Sequence, residues 1–233
     1  MPVIVFASPK GGAGKTTSAF LLATELANRN MSITIVDADP NHPIENWRKG
    51  GGKANNLTIM VNKNEESILD DIDTAAGESD FVIVDLEGTA NLSVAYAISR
   101  ADLVIVPSQR STLDAGEAAK ALSLVKRQSS VARREIPVAL LLTRTSLAIR
   151  SKGLKRMLES LGANKVESFI VEINEREAFK AVFDHTCTLA QLEDSQVSGL
   201  DKARKNSAEF AAEAIQKLDS LQPKKTKIFK GVA

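Results

Sequence analysis

An α/β protein with a doubly wound, mainly parallel sheet and helices on both faces is what this sequence predicts, on three observations. Short runs rich in β-branched residues alternate with longer segments of helical period along the chain. The short runs are nearly continuously apolar, as strands covered on both faces are. The chain has 233 residues, 43% of them hydrophobic, which suits one large domain with a full core better than two small ones.

Taken in order, VIVFA at 3–7 predicts a buried strand and KTTSAFLLATELA a helix over 16–29. SITIVD at 32–37 predicts the second strand, and Pro43, whose fixed φ suits a first helical turn, starts a helix through Trp47 that packs on the sheet. The glycines and asparagines of 50–56 make a loop before the strand LTIMV. A helix over 65–77, the strand FVIVD, a helix over 91–100 and the strand DLVIVP follow. The alanine- and leucine-rich 112–128 predicts a long helix, IPVALLLT a strand, and 147–161 a helix ended by Gly162. VESFIVE at 166–172 predicts the last strand, with helices over 175–183 and 200–221 after it. Residues 1–222 thus form the expected domain, and 223–233, within which Lys224, Lys225, Lys227 and Lys230 cluster, a disordered basic tail.

Thirty basic and twenty-nine acidic residues leave a formal charge of +1, so any polyanion site must be a local patch. The single Cys187 excludes an internal disulfide framework and a one-chain zinc or iron–sulfur site, which points to a reducing, cytoplasmic setting and a small apolar role for this thiol. The opening residues show no charged leader, and no apolar run approaches the ~20 residues needed to span a bilayer.

The chemistry is concentrated in SPKGGAGKTT at 8–17, which falls between a strand and a helix, the context a nucleotide-phosphate loop requires. Gly11, Gly12, Ala13 and Gly14 let backbone amides converge on phosphate oxygens, and the helix N-terminus adds its positive dipole end. Lys15 is placed to reach a nucleotide's β and γ phosphates and Thr16 to ligate Mg²⁺, with Thr17 next to them in the nucleotide-binding turn. Two further strands end in acids. VDADP places Asp37 and Asp39 on the same side of an extended chain, with capping of the next turn as the structural alternative for Asp37. FVIVDLEG ends in Asp85, matching the pattern of a Mg²⁺-contacting aspartate.

Pro9 stands where an ordinary phosphate loop has glycine, and Lys10 adds a second lysine; KGGAGKTT with these features resembles the deviant Walker A motif of the ParA/MinD family of P-loop ATPases. The resemblance covers about 3–215 and implies an ATPase that acts as a switch. It implies that Lys10 reaches across a homodimer to the partner's nucleotide, as an arginine finger supplied in trans does, and that Asp39 orients the attacking water and helps hold magnesium's water shell. It places Thr143 and Arg144 near the nucleotide base, and Arg176 aligns with a recurrent arginine whose role is contact with the nucleotide base, with the partner subunit or with DNA. Asn41 departs from the family's usual glutamine, and Leu86, Glu87 and Gly88 from its usual small residues or proline; Glu87 reads as a solvated loop acid, with a functional addition near the nucleotide as the alternative. A short chain without an N-terminal DNA-reading extension is similar to plasmid partition ATPases. The resemblance therefore implies nucleoid association through nonspecific DNA, an adaptor of ParB type that stimulates hydrolysis, and no membrane attachment. Lys202, Arg204 and Lys205, with Arg150, Lys152, Lys155 and Arg156, are the candidate DNA-facing basic residues. A MinD-like membrane-associated positioning ATPase, or a cargo-positioning ParA relative, is the alternative.

Overall fold

A computed structural model describes residues 1–88, 91–146 and 166–221. In chain order these form β1 (Val3–Phe6), α1 (Lys15–Asn28), β2 (Ile33–Ala38), α2 (Pro43–Lys49), β3 (Leu57–Val61), α3 (Ile68–Glu78), β4 (Phe81–Leu86) and α4 (Leu92–Arg100). Then come β5 (Leu103–Ser108), α5 (Thr112–Ala132), β6 (Val138–Thr145), β7 (Glu167–Ser168), β8 (Ile173–Asn174), α6 (Glu177–Asp184) and α7 (Leu200–Leu221). The helix expected over 147–161, its basic residues and the tail from 223 lie outside the described residues.

The strands run β3-β2-β4-β1-β5-β6-β7, with β8 also beside β6. Every pairing among the described residues is parallel. Because successive side chains point to opposite faces, Ile4, Phe6, Ile33, Ile35 and Ile83 join α1, α2, α6 and α7 in one core. Val3, Val5, Val36, Val82 and Val84 join α3, α4 and α5 in the other. This is the doubly wound sheet expected from the sequence. α1 is buried nearly all round, with Phe20, Leu21, Leu22 and Leu26 inaccessible, because α7 covers the side turned away from the sheet.

Trp47 docks α2 as expected. Its ring meets Phe20 edge-on at 4.9 Å, and its indole N–H donates to the carbonyls of Val182 (3.0 Å) and Cys187 (3.2 Å), tying α2 to α6. Cys187 itself is half-buried, and burial pushes its thiol pKa up. The loop glycines after α2 have a steric purpose: a Cβ on Gly52 would sit 2.5 Å from the Trp47 ring.

The single strand expected over 166–172 is corrected to two short ones. Glu213 on α7 accepts the backbone N–H groups of Ile170 and Val171, both at 2.7 Å, so this stretch bonds to a helix side chain and leaves the sheet. Ile170 is consequently 91% exposed.

Candidate nucleotide site

Strand register builds the site. Phe6 of β1 pairs with Asp85 of β4, and Asp85 pairs with Asp37 of β2, so two buried acids stand side by side where the strands end and the phosphate loop begins. Such a crevice beyond the carboxyl ends of parallel strands is where α/β sheets bind ligands.

The loop turns from β1 into α1 through Gly12 (φ 73°) and Gly14 (φ 92°), conformations that L side chains seldom adopt. Several contacts hold it from outside. Thr143 Oγ1 donates to Ala13 O at 2.7 Å, and Gln109 Nε2 donates to Gly12 O at 3.0 Å. Gly88 lies against its rim; a Cβ there would come within 3.2 Å of Gly11 N. Lys15 is 6% exposed, and its Nζ donates to the carbonyls of Ser8 (3.2 Å) and Lys10 (3.3 Å). Burial lowers the Lys15 pKa, while Asp85, Asp39 and Glu87 oppose that shift. A cation held by carbonyls and ringed by acids is poised for an anion brought between them.

Asp85 is fully buried, and neither of its carboxylate oxygens has a well-formed hydrogen bond among the described residues. Burial pushes its pKa up to about 7; the Thr16 side chain pulls it down, Asp37 raises it, Lys15 lowers it and Asp39 raises it. Unsatisfied buried acceptors cost on the order of 1–3 kcal/mol, and a cation beside Thr16 would satisfy these. Among the described residues no group of three or more His, Cys, Asp or Glu side chains is arranged to hold a metal. Mg²⁺, which is commonly bound through one or two carboxylates plus substrate phosphates, fits this donor set.

The other acids separate by role. Asp37 Oδ2 accepts from the backbone of Ile44 (3.1 Å) and Glu45 (2.9 Å), so this residue caps α2, the structural alternative the sequence left open. Burial raises its pKa, and the Glu45 N–H bond opposes the rise. Asp39 lies at the half-exposed rim, where Asn41 engages its Oδ1 through both its backbone N–H (2.9 Å) and its side-chain amide (3.0 Å). Asn41 therefore acts on Asp39 directly. Glu87 is half-buried and accepts from Asn91 Nδ2 at 3.3 Å.

Thr143, Arg144 and Arg176 are brought to one pocket that Gly14, Thr17 and Phe179 also line. Thr143 is 1% exposed and braces the loop. Arg144 is exposed, at φ 49° on a bulge between β6 and β8, and Arg176 donates to Asn174 at 3.2 Å. Lys10 is turned back on its own chain, donating to Asp114 Oδ1 at 2.5 Å. The sequence pattern Ser-x-x-Asp at 111–114 marks the start of α5, but nothing in it indicates a lysine 104 positions away. Gln109 carries no sequence signal at all.

A family model described as VirC1 protein matches residues 1–227. This chain belongs to the VirC1 family. The VirC1-family chain is also of ParA type: protein ParA of Rhizobium radiobacter is 38% identical to it over 218 residues, 94% of this chain and 98% of that protein. Two solved structures share the fold. A plasmid partition protein of Borrelia burgdorferi B31 bound to AMPPNP has a TM-score of 0.65 at 19% identity, over 91% of this chain and 99% of that one. The MinC:MinD cell division complex of Aquifex aeolicus gives 0.72 at 17% identity, over 93% and 96%.

The expected basic patch on α7 needs one correction. Arg204 is engaged internally, donating to the carbonyls of Leu189 (3.0 Å), Ala190 (3.4 Å) and Leu192 (2.7 Å), so it clamps the loop before α7. Lys202 and Lys205 are exposed. Among the described residues no helix is long and apolar enough to cross a membrane.

Proposed function

We propose that this chain is a Mg²⁺-dependent ATPase that works as a partition switch: ATP closes a homodimer, the dimer holds DNA without sequence preference, and an adaptor protein stimulates hydrolysis and release. The observation that carries the reading is the buried Asp85 carboxylate, without a well-formed hydrogen bond among the described residues, beside a deviant phosphate loop in a ParA-type chain. The AMPPNP bound to the Borrelia relative supports a triphosphate ligand, and the MinC:MinD complex supports regulation by a second protein.

In this reading the amides of Gly11 to Thr17 cradle the phosphates, and Lys15 leaves its carbonyl partners for the β and γ phosphate oxygens. Thr16 and Asp85 hold the metal, which when bound neutralises charge on those oxygens. Asp39, fixed by Asn41, orients the attacking water in line with the γ phosphate. Lys10 enters the partner's site and stabilises charge developing there. Arg144, Arg176 and the braced Thr143 border the base.

Co-sedimentation with plasmid DNA and with anionic liposomes, in ATP and in ADP, tests the reading. Retention on DNA in ATP alone, lost as salt rises, is the expected result. ATP-dependent retention on liposomes without DNA binding would replace partitioning by a MinD-like membrane role.

A further inference from the structure

The turn between β5 and α5 reaches over the phosphate loop and grips its lysine. Lys10 Nζ donates to Asp114 Oδ1 at 2.5 Å; the lysine side chain is 39% exposed, the acid 3%. Asp114 also accepts from the backbone N–H and hydroxyl of Ser111, closing a capping box at the start of α5. Burial alone would raise the Asp114 pKa, yet the bonds from Lys10 and Ser111 leave it below the ordinary carboxylate range. The ammonium is thus engaged within its own chain.

We propose that Asp114 is a positioning residue that holds the Lys10 ammonium in cis in the nucleotide-free chain and yields it to a partner only after the loop has bound nucleotide. The inference rests on the proposed function for the destination of Lys10, but the cis pairing stands on the structure. The loop itself supplies the coupling. Lys15 Nζ is bonded to the carbonyls of Ser8 and of Lys10, and a move onto phosphate breaks both bonds in the segment that carries Lys10. The latch thereby keeps an empty chain from placing its lysine in a neighbour's site.

The full-length chain, nucleotide-free, is treated with acetic anhydride, and acetylation of Lys10 is followed by mass spectrometry with exposed Lys202 as the internal standard. Lys10 should label several-fold faster in Asp114→Asn and Asp114→Ser than in the wild type. Asn keeps an oxygen for Ser111 N–H, so the cap survives in the first variant. Ser111→Ala, which breaks the box but keeps the charge, should label like the wild type. With AMPPNP and Mg²⁺, the dimer dissociation constant of Asp114→Asn by sedimentation should fall roughly tenfold, as for release of a partly exposed charged pair.

Equal Lys10 labelling in wild type and both Asp114 variants overturns the proposal. So does a Ser111→Ala chain that behaves like Asp114→Asn, or an Asp114→Asn dimer no tighter than the wild type when the wild type dimerises. Protected Lys10 with no dimer in any chain would instead sink the proposed function and leave the cis pairing standing.

Discussion

Asp85 is a costly carboxylate in the empty protein, since it is fully buried, lies beside Asp37 and has no well-formed hydrogen bond among the described residues. Its folded-state pKa of about 7 lies above the ~3.9 of an unfolded aspartate. Between those values the folded chain keeps a proton that the unfolded chain has released. Stability of the metal-free protein should therefore fall as pH rises from about 4 to 7 and level off above. Asp85→Asn should remove that slope and stabilise the chain at pH 8 by on the order of a few kcal/mol, while abolishing Mg²⁺-dependent ATP binding. Urea melts in EDTA across this pH range check it; a destabilised Asp85→Asn would contradict the assignment. At this scale spacing and strand ends in the sequence single out Lys15, Thr16 and Asp85, and the fold brings Lys15 and Asp85 to one crevice. It is silent on Gln109, on Asn41 holding Asp39 and on Asp114, because each acts through a contact that only the folded chain creates.

Elements were legible wherever periodicity or turn chemistry marked them, and the misreading at 166–172 has a definite cause. A run of strand-forming residues was diverted by Glu213, a helix side chain more than forty positions away, and no local pattern announces that. The connection after α2 gives a firm test. Gly52→Ala would press a methyl group into the Trp47 ring and should cost about 1–3 kcal/mol in denaturant unfolding, with loosening centred on the α2–α6 contact. On α7 the basic residues divide by what they touch. Arg204→Ala should lower stability by about 1–2 kcal/mol and leave the salt dependence of DNA retention unchanged. Lys202→Ala with Lys205→Ala should leave stability nearly unchanged and reduce the salt slope by about two. The reverse pattern would move the DNA surface away from α7.

For the whole molecule, parallel register is the organising fact. Because β1, β4 and β2 end together, residues at 10–17, 37–39 and 85–88 meet at one crevice although sequence separates them. The doubly wound sheet could be read in advance because the central strands β1, β2, β4, β5 and β6 are largely apolar on both faces; the way Lys10 is stored could not, since it depends on a turn placed by β5 beside β1. In the proposed switch two such chains close on ATP with Lys10 in the partner's site. Sedimentation of the Asp39→Ala chain with ATP and Mg²⁺, alone and combined with Lys10→Ala, tests it most directly. A dimer for Asp39→Ala that reverts to monomer when Lys10 is removed is the predicted result; a strict monomer at all workable concentrations, or a dimer indifferent to Lys10, would contradict it.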